Sequence, residues 1–241
     1  MRIKDKILLD TEGLYKYGPI NIVVFGDSIS HGAVRGYMDY ENVYWNRLKR
    51  KLNQYRDYIP VNIINAAIGG TTAKASLERM EKQVFIHNPD LIIVCFGLND
   101  VNGTLEDYIK SLEIIFNRCL QSDSETIFMT PNMLNTYVSN DTSEAYREYA
   151  SKTAEMQNSG KMDNYISSAI ELATKLGITV CDCYAKWKKL SETEDTTVLL
   201  ANRINHPTPE MHSLFADELY NLIIGNDEIN QTDSCSTMYK A

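Results

Sequence analysis

Residues Asn88–Asp100 read NPDLIIVCFGLND. The Asn-Pro-Asp turn signal breaks any helix before it. Six residues, Leu91–Phe96, then run apolar without interruption until Gly97. A strand with one wet face would alternate apolar and polar residues. A short run that is apolar at every position needs cover on both faces, as a central strand of a parallel sheet has.

Reading outward from this run, four more segments predict strands: Ile20–Phe25 (INIVVF), Val61–Ile68 (VNIINAAI), Thr126–Met129 and Ile178–Cys183 (ITVCDC). Helical spacing fills the gaps between them. Leu105, Tyr108, Ile109, Leu112, Ile115, Phe116 and Cys119 recur at i, i+3, i+4, i+7. Tyr44–Leu52, Thr72–Phe85, Met162–Leu176 (closed by Gly177 as C-cap) and Pro209–Ile224 also predict helices. Five strands alternating with helices describe an α/β protein, a five-stranded parallel sheet with helices on both faces. We read residues 1–241 as one domain, with a core over about 20–222 and a loose polar tail from Asn226.

The 241 residues carry a net charge of -8, and no basic cluster stands ready to neutralise phosphates. This argues against nucleic acid and against an anionic membrane as partner, and favours a neutral small molecule. The start, MRIKDKILLD, holds no apolar run long enough for a signal peptide or a membrane span, which reads as a cytoplasmic chain. The five cysteines are odd in number, and Cys181 and Cys183 are too close for CxxC geometry, so reduced thiols are expected.

In sheets of this kind the ligand lies beyond the carboxyl ends of the strands, so chemistry is sought there. Gly26-Asp27-Ser28 follows the first strand, Gly69-Gly70 the second, and Gly97-Leu98-Asn99-Asp100 the third. Each has a plain structural reading: a helix cap, a tight turn, an Asx turn. Each also has a chemical one: a serine nucleophile, a glycine N–H open to an oxyanion, an amide N–H aimed at the same place. His206 lies in a loop before the last helix, and His31 is close enough to Ser28 to be a rival base. His87 and His212 read as packing residues. No GxGxxG or GxxxxGK[ST] loop occurs and no histidine pair has zinc spacing, so no cofactor and no metal is expected.

Taken together and in order, Gly26-Asp27-Ser28, Gly69, Gly97-x-Asn99-Asp100 and His206-Pro207 resemble the SGNH/GDSL hydrolase family of esterases and lipases. The resemblance implies a flavodoxin-like three-layer α/β/α sandwich. It implies Ser28 as nucleophile and His206 as base, with the oxyanion held by the Ser28 N–H, the Gly69 N–H and the Asn99 side chain.

One position departs from the family. Arg203 stands three residues before His206, where the family carries an aspartate. Three accounts follow. A backbone carbonyl near Asn202 or Arg203 takes the His206 Nδ1–H; another acid reaches in, Asp182 first and Asp195 behind it; or the protein is a weak or inactive hydrolase, a binding module on the same fold. The segment from Pro131 to Lys161 is polar and tyrosine-bearing and should overhang the crevice. It suits an acetyl ester of a sugar-like or other polar alcohol, against the alternatives of a lysophospholipase or thioesterase and of a plain surface insertion.

Overall fold

A computed structural model describes residues 1–225; the tail from Asn226 and Cys235 lie outside the described residues. Five strands form one parallel sheet: β1 (Ile20–Gly26), β2 (Val61–Asn65), β3 (Leu91–Cys95), β4 (Glu125–Met129) and β5 (Thr179–Cys181). Their order is β2-β1-β3-β4-β5. The order reverses between β1 and β3, and a sheet of this kind opens its ligand crevice at such a switch point.

The helices are α1 (Ile3–Ile7), α2 (Thr11–Tyr17), α3 (Ser28–His31), α4 (Tyr44–Tyr55), α5 (Ala73–Ser76), α6 (Met80–Gln83), α7 (Leu105–Leu120), α8 (Arg147–Asn158), α9 (Lys161–Lys175), α10 (Cys183–Leu190) and α11 (His212–Ile224). α4 and α11 pack together over one face of the sheet, with α1 and α10 against α11; α5, α7 and α9 cover the other. All five residues of β3 are buried, as its uninterrupted apolar run requires. Phe25 of β1 meets Phe96 edge-on at a centroid distance of 5.2 Å, locking the two central strands at the end that carries the crevice.

Several boundaries differ from the sequence reading. β2 ends at Asn65 rather than Ile68, because the Asn65 side chain accepts the Ala67 N–H and turns the chain. β5 stops at Cys181 because Asp182 caps α10. The stretch Thr72–Phe85 is not one helix. α5 gives way to a 3₁₀ turn at Leu77–Arg79 and then to α6, while the Arg79 guanidinium reaches out to the carbonyls of Ala66 and Gly26. α11 starts at His212, three residues later than Pro209. Cys95, Cys119, Cys181 and Cys183 are buried free thiols. No helix among the described residues is long and apolar enough to cross a membrane.

Candidate active site

Ser28 follows β1 at once. Gly26 is tightly enclosed: a Cβ there would lie 2.6 Å from the Cys95 carbonyl oxygen and 2.7 Å from Ser30 Oγ, so no larger residue fits without displacing backbone. Asp27 caps α3 by accepting the Ile29 N–H at 3.1 Å. The structural reading of Gly-Asp-Ser as a cap is therefore correct for Asp27, and the same cap sets Ser28 at the crevice, 5% exposed.

His206 reaches Ser28 from the other end of the chain. Its Nε2 lies 3.0 Å from Ser28 Oγ. Its Nδ1 lies 2.9 Å from the Val34 carbonyl oxygen. A carbonyl can only accept, so the proton sits on Nδ1 and the Nε2 lone pair faces the serine hydroxyl. Burial lowers the His206 pKa from 6.5, and the bond to Val34 opposes that shift. Burial therefore favours the neutral ring, the form a base needs.

The Val34 carbonyl is offered by a tight turn. Gly32 takes a left-handed φ of 93°, Ala33 bridges to Met38, and the Val34 N–H donates to the Tyr37 carbonyl at 3.0 Å. The histidine loop is gathered on one atom: Asn202 Oδ1 accepts the N–H groups of Ile204, Asn205 and His206 at 3.1, 3.0 and 2.9 Å.

Two expectations about the third group are corrected here. Asp182 does not orient His206. Its Oδ1 accepts the Ala185 N–H at 3.1 Å and the Thr130 hydroxyl at 3.0 Å, as the cap of α10. Asp195 is likewise engaged elsewhere, by the Tyr137 hydroxyl at 2.6 Å and the Thr197 N–H at 3.0 Å. A backbone carbonyl does hold the imidazole, but it belongs to Val34 and not to Asn202 or Arg203. No signal in the sequence marks that carbonyl beyond the paired glycines, Gly32 and Gly36, of a tight turn.

The other expected groups converge on the same place. A Cβ built on Gly69 would lie 3.7 Å from Ser28 Cβ. The Gly69 N–H, however, donates to His31 Nδ1 at 3.1 Å. His31 does not hydrogen-bond Ser28; its Nε2 faces the Tyr40 hydroxyl at 3.4 Å. The Asn99 amide donates to the Thr71 carbonyl at 3.0 Å and lies 3.5 Å from Asp27 Oδ2. Asp27 is fully buried, and loss of solvation raises its pKa to about 7. Asp100 behind it accepts the Ala73 N–H at 2.8 Å, and burial raises its pKa to about 6. His212 is buried beneath Tyr44, whose N–H it accepts, and His87 closes a 3₁₀ turn before β3. Among the described residues no group of three or more His, Cys, Asp or Glu is placed to hold a metal ion.

Ser28, His206, Gly69 and Asn99 all line one cleft of about 590 Å³. Apolar side chains of Val34, Ile68 and Ile204 share its wall with Arg35, Tyr146 and Tyr149. The last two come from the segment that leaves β4, which does overhang the crevice.

Residues 24–214 match the family described as the GDSL-like lipase/acylhydrolase family. Among solved structures, Axe2, an acetylxylan esterase from Geobacillus stearothermophilus, superposes with a TM-score of 0.65 at 20% identity, covering 86% of this chain and 94% of that one. The acetyl xylan esterase AlAXEase gives 0.66 at 22% identity, covering 85% and 100%. LAE5, an alpha/beta hydrolase from the metagenome of Lake Arreo, Spain, gives 0.65 at 20%, covering 86% and 95%. The uncharacterized lipoprotein YqeF of Bacillus subtilis (strain 168) is 30% identical over 95 residues, which is 39% of this chain and 37% of that protein. That match thus spans little more than a third of the curated relative.

Proposed function

The chain belongs to the GDSL-like lipase/acylhydrolase family and is a carboxylester hydrolase, and from that premise we propose that it removes small acyl groups, acetyl above all, from a carbohydrate-like or other polar alcohol. The observation that carries the reading is the relay Ser28 Oγ, His206 Nε2, His206 Nδ1, Val34 O, with both links at hydrogen-bond length.

The steps follow from that relay. Ser28 Oγ attacks the ester carbonyl while His206 Nε2 takes its proton. In this reading the charge that develops on the carbonyl oxygen is held by the Ser28 N–H, the Gly69 N–H and the Asn99 amide, the last two exchanging His31 Nδ1 and the Thr71 carbonyl for the oxyanion, and each such donor is typically worth about 3–4 kcal/mol of transition-state stabilisation. His206 returns its proton to the leaving alcohol, which departs and leaves acyl-Ser28. A water molecule, deprotonated by the same nitrogen, then releases the acid and restores Ser28. The Val34 carbonyl supports this by fixing the tautomer. It brings no negative charge to stabilise the imidazolium, so this dyad relies on geometry where an aspartate would add attraction.

The cleft wall supports the polar-alcohol reading. Tyr146 and Tyr149 offer aromatic faces with hydroxyl groups, and Arg35 and Asn202 offer donors at the rim. Axe2 is an acetyl-xylooligosaccharide esterase and AlAXEase an acetyl xylan esterase, which favours acetyl as the acyl group here.

The test is a panel of acetyl, butyryl and long-chain p-nitrophenyl esters run on wild type and Ser28→Ala, with fluorophosphonate labelling of both. Acetyl should turn over fastest, and Ser28→Ala should neither label nor turn over. Faster long-chain turnover would assign the apolar wall to a fatty chain and overturn the acetyl reading. Equal labelling of Ser28→Ala would overturn the nucleophile.

A further inference from the structure

His206 is held through two turns far apart in sequence, and a third segment ties those turns together. One turn carries Val34, whose carbonyl takes the Nδ1–H. The other, residues 202–206, carries His206 itself. Asp141, in the segment that leaves β4, touches both. Its carboxylate accepts from Arg203 Nε at 2.9 and 3.1 Å. Its backbone carbonyl accepts from Arg35 Nη2 at 3.0 Å, and Arg35 is the residue after Val34. Ser139 fixes the carboxylate further by donating to it at 2.6 Å.

Arg203 is adapted to this contact. Its backbone sits at φ 60°, in the left-handed region that residues other than glycine seldom occupy. Its Nη1 donates to the Val198 and Leu200 carbonyls at 2.6 and 3.0 Å. The guanidinium is therefore saturated by backbone on one side and presented to Asp141 on the other.

We propose that Asp141 is a positioning residue for the general base: with Arg35 and Arg203 it bridges the turn that carries Val34 to the turn that carries His206, and so maintains the bond that sets the imidazole tautomer. It touches neither the imidazole nor the substrate. The physical need is specific to this chain. A neutral carbonyl holds the ring less strongly than a carboxylate would, so the ring is only as well placed as the spacing of the two turns. A misplacement of about 1 Å costs on the order of a hundredfold in rate. An exposed ion pair adds little to global stability, so the loss should appear in turnover and not in folding.

The inference rests on His206 as the general base, and the experiment separates the two. Steady-state kinetics on p-nitrophenyl acetate would compare wild type, Asp141→Ala, Arg203→Gln, the double variant, Asp141→Glu and His206→Ala, each with a thermal melt. In Asp141→Ala and Arg203→Gln, kcat should fall about tenfold or more with KM within about twofold and the melt nearly unmoved. The double variant should be no worse than the poorer single, since both remove one bridge, and Asp141→Glu should recover part of kcat. Normal kcat in Asp141→Ala, a raised KM at normal kcat, or losses that multiply in the double variant would each overturn the bridge. Activity surviving in His206→Ala would instead overturn the base assignment on which the bridge depends.

Discussion

Replacing Asp182 separates an acid that orients a catalytic histidine from an acid that caps a helix. In Asp182→Ala, α10 loses the acceptor for the Ala185 N–H, a change that typically costs about 1 kcal/mol, within a range of about 0.5–2. The Thr130 hydroxyl, completely buried, loses the acceptor it reaches at 3.0 Å. Leaving such a donor unpaired costs about 1–2 kcal/mol more. The sum, about 2–3 kcal/mol, should lower Tm by roughly 5–10 °C in a chain of this size. Asparagine keeps a capping oxygen, so Asp182→Asn should retain most of that stability. Neither variant should change kcat on p-nitrophenyl acetate by more than about twofold, because His206 Nδ1 is satisfied by Val34. The assay pairs thermal melts with kinetics well below both melting temperatures. A loss of several hundredfold in kcat for Asp182→Asn with an unmoved Tm, approaching the roughly 10⁴ cost of losing a triad acid, would refute the reasoning.

The acid limb of kcat/KM should lie below 6.5, because burial depresses the His206 pKa and the neutral ring is the active one; a limb above that pH would show that burial does not govern the ring's titration. His31→Ala frees the Gly69 N–H from a competing acceptor, so kcat/KM on p-nitrophenyl acetate should rise a few-fold, by about one hydrogen bond's net worth. A tenfold fall would instead make His31 part of the chemistry. Asp27 binds its proton more tightly when folded, its pKa raised by burial from 3.8 to about 7, so it favours the folded state less as pH rises through that window. Asp27→Asn removes this dependence: relative to wild type the variant should gain up to about 3–4 kcal/mol between pH 4 and pH 8 in denaturant titrations. Parallel curves for the two proteins would show that Asp27 does not titrate there.

Much of the architecture can be read without coordinates. The fully apolar run at Leu91–Phe96 demanded two covered faces, and β3 is the buried middle strand of a parallel sheet. The heptad-like spacing from Leu105 to Cys119 appears as α7 with its apolar face buried. Where local patterns failed, a long-range contact was the cause. Thr72–Phe85 has helical spacing, yet it breaks where Arg79 bonds the carbonyls of Gly26, at the end of β1, and Ala66, just after β2. α8 lies inside the polar stretch read as a crevice overhang, and α10 begins at Cys183, where the sequence reading still ran the fifth strand.

At the site, the sequence by itself marked the candidate reactive groups and placed them after β1, β2 and β3 and in the loop before α11. Only specific side chains can attack, abstract or donate, and a parallel sheet delivers the ends of its strands to one edge. The tertiary structure alone decided how they are connected. Any residue can supply a carbonyl, so nothing in the sequence distinguishes Val34 as the partner of His206. An aspartate that caps a helix and one that orients an imidazole have the same letter, and only the distances from Asp182 to Thr130 and Ala185 separate them. The engagement of the Gly69 N–H by His31 and the seating of Arg203 on Asp141 are likewise meetings of residues far apart in the chain. Their pairing is set by packing, which no local pattern records.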